Sequence, residues 1–141
     1  MNQVTLVGRV TKDLVLRQIS QDRVQTSFVV AVTRNFKNTK GEVEADFILC
    51  TLWGRLAENT VRHCGKGSLI GLSGRIQSRT YEREDQSRVY VTEVIGDSVQ
   101  FISTKPRADT NLFVESTKHQ TNKEEEHFHL PKQEDSGLPI M

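Results

Sequence analysis

Four flat rings set beside positive charges are the residues of this chain whose types and spacing could do chemistry together. Phe36 stands between Arg34 and Lys37, Phe47 follows Asp46, Trp53 precedes Gly54 and Arg55, and Tyr81 comes shortly after Arg79. Aromatic rings interleaved with cations can stack bases on their π-faces while the cations hold phosphates, and because every base has a π-face such a surface is tolerant of sequence. Arg9, Arg17 and Arg75 extend the same cationic set. The competing role for Phe47 and Trp53 is ordinary core, since aromatics contribute heavily to protein interiors. What separates the two is where the surrounding elements place each ring.

The stretch Asp46–Glu58, DFILCTLWGRLAE, reads as one strand running directly into a helix. Period-two alternation puts Phe47, Leu49, Thr51 and Trp53 on one face and Ile48, Cys50 and Leu52 on the other, with Cys50 and Leu52 suited to a core. Upstream, Gln3–Val10 alternates as a first strand that continues past a break to Val15–Arg17, and Gly8 within it predicts a bend or a close backbone approach. Gln25–Arg34 is rich in β-branched residues and forms a second strand with Phe28, Val30 and Val32 facing one way. Asn35–Glu44, carrying Phe36, Asn38 and Gly41, reads as an exposed, flexible hairpin loop. Downstream, Leu56, Ala57, Thr60, Val61 and Cys64 recur at helical spacing, and Gly65 and Gly67 end that helix. Ser68–Tyr81 and Arg88–Ile95 give a fourth and a fifth strand around a polar turn at 82–87, and Val99–Ile102 adds a short closing segment. Gly71 and Gly74 permit strong curvature. Tyr90, inside VYVTEV, reads as structural.

Composition divides the chain. Up to Thr104 there are 14 Lys and Arg against 11 Asp and Glu, and from Lys105 onward 5 against 7. Eight of the nine glycines lie in the first part and all three prolines in the second, so a domain over 1–104 and a disordered tail over 105–141 are expected. No apolar run approaches the ~20 residues a membrane span needs, no signal peptide is visible, and a cytoplasmic protein with no membrane partner is expected. Cys50 and Cys64 are expected to be buried free thiols. Glu42, Glu44 and Asp46 sit on a loop edge where solvated charge is the default, and His63 and Cys64 are adjacent on a helix and diverge. The His127 and His129 pair lacks a fixed frame. No catalytic residue, metal site or cofactor is therefore expected, and the chain is not read as an enzyme.

Three strands, one helix, then two strands, with glycines placed for coiling, is the order of an all-β, five-stranded OB-fold barrel, whose ligands lie across the second and third strands and adjoining loops. With MNQVTLVGRVTKD at the start, NTKGEVEADFI before the long strand, RLAEN opening the helix, and KGSLI, GRIQSRTYE and VYVTEVIGDSVQF after it, the chain resembles the bacterial single-stranded DNA-binding protein family over Met1–Ile102. The resemblance implies an OB fold assembled as a homotetramer that coats single-stranded DNA in replication, recombination and repair, on the nucleoid. It implies stacking roles for Phe36, Phe47, Trp53 and Tyr81 and phosphate contacts for Arg55 and Lys66. Ile48, Cys50 and the first strand are candidate subunit contacts.

The chain departs from the family pattern at Leu14, where proline is common, and at Asp22 and Gln86, where hairpin glycines are common. The terminal EDSGLPIM keeps only an outline of the family's partner-docking tip in Glu134, Asp135, Leu138, Pro139 and Ile140. The rival function is an OB-fold protein-interaction accessory of the primosome type. For the DNA binder, each stacked base is worth ~1–3 kcal/mol, and each neutralised phosphate adds ~0.7 to the salt slope on a single strand.

Overall fold

The computed structural model describes residues 1–108 and Phe113–Glu115; the rest of the expected tail, including the docking tip and the His127/His129 pair, lies outside the described residues. The elements in chain order are β1 (Val4–Val10), β2 (Leu16–Ser20), β3 (Arg23–Lys37), β4 (Val43–Trp53), α1 (Gly54–His63), β5 (Leu69–Glu82), β6 (Arg88–Ser103) and β7 (Phe113–Glu115). β1 and β2 are the two halves of the broken first strand, and the short closing segment merges into β6. The five strands expected of the barrel are present, with the helix where the chain order put it.

The sheet runs β1-β5-β6-β4-β3-β2-β7, and an additional β1–β3 pairing closes β1, β5, β6, β4 and β3 into a ring. Neighbours are antiparallel except β4 with β6 and β2 with β7. Closure removes the edges that an open sheet would leave unpaired. The interior is filled by Val10, Leu14, Phe28, Val30, Cys50, Leu52, Ile70, Leu72 and Val94, and α1 packs Ala57 and Val61 against them. The predicted inward residues Phe28, Val30, Cys50 and Leu52 are therefore core. Leu14, standing where a proline is common in the family, is 1% exposed and belongs to that core.

Two glycines make the closure possible. At Gly8 a Cβ would stand 2.5 Å from the Ala31 carbonyl oxygen and 2.6 Å from Val30 Cγ1, so β1 can reach β3 only because no side chain intervenes. At Gly74, where the β5–β6 register shifts after Ser73, a Cβ would overlap the Ile95 carbonyl oxygen.

Several local expectations are corrected. The Asn35–Glu44 segment is a tight turn rather than a flexible loop. Asn38 Oδ1 accepts hydrogen bonds from the Lys40 and Glu42 backbone N–H groups, each at 2.9 Å, and the strands continue to Lys37 and from Val43. Cys50 is fully buried and so is not a subunit contact. Both cysteines are free, and burial pushes the thiols up, to about 12 for Cys50 and about 11 for Cys64. Ordered contacts also run past Thr104. The Gly65 N–H donates to the Lys105 carbonyl at 2.9 Å, the Arg107 guanidinium donates to the Leu14 carbonyl, and β7 pairs with β2.

Replacing Gly74 with alanine forces backbone apart at the register shift and should lower stability by about 1–3 kcal/mol or more. Urea unfolding followed by circular dichroism reads the effect, and a wild-type midpoint would show that the β5–β6 approach is looser than the geometry says.

Candidate nucleic-acid interface

The face of β4 that does not enter the core is built by register. Across the β3–β4 pair, Gln25 lies opposite Trp53, Ser27 opposite Thr51, Val29 opposite Leu49 and Ala31 opposite Phe47, all pointing away from the interior. Arg9 of β1 pairs with Ala31, so Arg9, Ala31 and Phe47 form one row across three strands. On the other side of β4, Ile95 lies beside Thr51 and pairs with Arg75, and this face runs along the β5–β6 hairpin to Arg79 and Tyr81.

The rings are displayed unequally. Phe47 is 61% exposed and Phe36 68% exposed, far more than large apolar side chains show when they pack in a core. Phe36 is held at the end of β3 rather than in a loop. Trp53 and Tyr81 are half-buried. The core reading of Phe47 is excluded by this exposure. Trp53 ends β4 and caps α1 without any side-chain hydrogen bond, and no acidic residue stands in the first turn, where Arg55 is exposed. The unpaired N–H groups there favour an anion.

The cations divide by their partners. Arg55, Lys37 and Lys66 are exposed. Arg9 is exposed too, and its Nη1 donates to the Gly67 carbonyl at 2.9 Å. Arg75 lies 4.0 Å from Asp97, a loose pair on the surface. Three expectations change. Arg34 donates to Asp46 at 2.7 Å and to Glu44 at 2.9 Å. Strand parity puts this cluster on the side of the β3–β4 hairpin opposite Phe47, because Asp46 pairs with Val32. The Arg34 hydrogen bond holds the Asp46 carboxyl below the usual carboxylate range, so the pair is intact at neutral pH and is lost only as pH falls through that lowered value. Arg17 is 6% exposed, on a strand flanked by β3 and β7, and so offers little surface to a phosphate. Arg79 donates through Nε to Glu93 Oε2 at 3.1 Å.

Glu93 was not a sequence candidate. It is 5% exposed, and its carboxylate accepts from Thr51 Oγ1 at 2.9 Å as well as from Arg79. Thr51, having given its proton to Glu93, accepts from Ser27 Oγ at 2.9 Å. This chain of bonds ties β3, β4, β6 and β5 together on the face that carries Phe47 and Trp53. Two further residues escaped the sequence. Arg23, exposed in β3, stacks its guanidinium over Trp53 with Cζ 4.3 Å from the ring centroid. Tyr90, expected to be structural, is 73% exposed and lies on the opposite side of the β5–β6 hairpin from Tyr81, since it pairs with Thr80 while Tyr81 pairs with Val89. Its alternation with the polar Arg88 and Thr92 was the signal for exposure; nothing local signalled the reach of Arg23 to Trp53. Among the described residues no cluster of His, Cys, Asp and Glu could hold a metal ion, and no helix is long and apolar enough to cross a membrane.

Residues 1–102 match the model of the single-strand binding protein family. The chain is 56% identical over 106 residues to single-stranded DNA-binding protein B of Bacillus subtilis, covering 75% of this chain and 94% of that one. It is 49% identical over 109 residues to single-stranded DNA-binding protein 1 of Clostridium acetobutylicum, covering 77% and 99%. It is 46% identical over 122 residues to single-stranded DNA-binding protein 3 of Listeria innocua, covering 86% and 76%. A closed ring of strands with Phe47 exposed on the outer β3–β4 face and this extent of identity lead to one assignment: the chain belongs to the single-strand binding protein family.

Proposed function

We propose that this chain binds single-stranded DNA without regard to sequence and protects it during replication, recombination and repair. The observation that carries the reading is Phe47, 61% exposed on the non-core face of β4 and in one row with Arg9. A large ring held open to water on rigid backbone is suited to stack an unpaired base, and duplex DNA, whose bases already stack on each other, makes a poor ligand for it. Phe36, Trp53 and Tyr81 extend the stacking surface, and Arg55, Lys37, Lys66 and Arg9 supply the phosphate contacts, with Arg75 at its margin. Arg79 acts indirectly, through Glu93.

A homotetramer is proposed on the same footing. Val7 on β1 is 53% exposed and Ile102 on β6 is 51% exposed, both beside Gly71 on one outer face, and this apolar patch suits a second copy. The setting proposed is the bacterial cytoplasm on the nucleoid, with replication, recombination and repair proteins met through Glu134, Asp135, Leu138, Pro139 and Ile140. No enzymatic activity enters the proposal.

Trp53 is the chain's one tryptophan, so its fluorescence tests the reading directly. Oligo-dT should quench it strongly. A chain that served only to gather other proteins would leave the emission unchanged.

Phe47→Ala should fold as the wild type does and lose about 1–3 kcal/mol of poly-dT affinity, read by fluorescence titration beside circular dichroism. A variant that unfolded instead would return Phe47 to the core. Arg55→Ala should lower the salt slope by ~0.7. The double substitution Arg34→Ala/Asp46→Ala, which leaves net charge unchanged, should keep the wild-type slope, because Arg34 is matched by carboxylates on the far side of the hairpin. The segment beyond Glu115 carries three lysines against five acidic residues. Truncation after Glu115 should therefore tighten DNA binding modestly at low salt and leave it unchanged at high salt, where such a weak competitor is screened.

A further inference from the structure

We infer that Arg23 is a phosphate-contacting residue that extends the DNA path past Trp53 onto the turn between β2 and β3, with its guanidinium held in place by the Trp53 ring. The inference rests on the single-strand binding reading and adds to it a residue and a direction that the ring positions alone do not give.

Three observations meet at this position. Arg23 is the first residue of β3 and is exposed, and strand alternation puts it on the same outer face as Gln25, which pairs with Trp53. Its Cζ lies 4.3 Å from the Trp53 ring centroid, the distance of a stacked guanidinium. Among the described residues, no ion pair or hydrogen bond engages the Arg23 side chain, whereas Arg34 further along β3 is matched by Glu44 and Asp46 and Arg79 on β5 by Glu93. Asp22 is the nearest acid in sequence and stands in the same turn, exposed.

A planar guanidinium stacked on an indole presents its N–H donors around the rim of the plane, outward from the ring. Those donors have the fork geometry that suits a phosphate, and the ring removes much of the side-chain freedom that a flexible cation loses on binding. Trp53 then serves twice, offering its indole to a base and steadying the cation that takes the next phosphate. The β2–β3 turn is drawn into the site by this one contact.

Arg23→Ala and Arg23→Lys, compared with wild type by oligo-dT titration across salt concentrations, test the inference. Wild-type quenching is the first reading, and its absence would sink the single-strand binding proposal, and this inference with it, before either variant is compared. With wild-type binding in hand, Arg23→Ala should lower the salt slope by ~0.7 and weaken binding about fivefold near 0.1 M salt. It should also change the Trp53 emission of the DNA-free protein, because the stacked cation is gone. Arg23→Lys, which keeps the charge without the planar stack, should recover only part of the affinity. An unchanged slope, tighter binding in Arg23→Ala, or full recovery in Arg23→Lys would each overturn the inference.

Discussion

A β-strand has two faces, and a small barrel can bury only one of them. Everything at the binding surface depends on that constraint acting on β4. Cys50 and Leu52 are drawn fully out of water, which fixes the register against Phe28 and Thr26 on β3. A slip by one residue would turn these core residues outward and put Thr51 in their place, so the hydrophobic effect itself enforces the pairing. Phe47 and Trp53 then have no choice of side. Their display is a by-product of burying their neighbours.

Holding rings rigidly on that surface needs support that the core does not supply. Glu93 provides it by taking Thr51 and Arg79 as partners in a place almost closed to water. A buried carboxylate without partners is costly, and one with a cation and a hydroxyl can be accommodated. The result is a polar crosslink across β3, β4, β5 and β6 on the face where bases are proposed to lie. Arg34 plays a comparable part further along, locking the β3–β4 hairpin on its reverse side through Asp46 and Glu44. Cations that look alike in the sequence therefore do two kinds of work. Some stabilise the scaffold, and others face outward with charge to offer.

The turn chemistry follows the same division between local and distant causes. At the end of the β5–β6 hairpin, Gln86 adopts φ 70°, a conformation that glycine adopts without penalty. Hydrogen bonds from Gln86 N–H to the Arg83 carbonyl and from Arg83 N–H to the Ser87 carbonyl, each at 2.9 Å, close the turn around it. In the β3–β4 hairpin the Asn38 side chain does the closing, which is why strand structure persists up to Phe36 and Lys37 where charge and polarity alone suggested a loose loop.

The order of strands and helix, the inward residues of β3 and β4, the exposure of Phe47 and the two free thiols were all legible in the amino-acid sequence. Each follows from period-two or helical alternation, and alternation is a property of neighbours along the chain. The fates of Arg17, Arg34, Arg79 and Arg23 were not legible. Whether a cation meets a carboxylate, a ring or open water depends on which strand lies alongside and in what register, and those are contacts between residues far apart in the chain. The path of the chain beyond Thr104, across the end of α1 and along β2, belongs to the same class, since composition marked it as polar but could not show that Lys105 and Arg107 find backbone partners. Local pattern determined the faces; only the closed barrel decided what each face would meet.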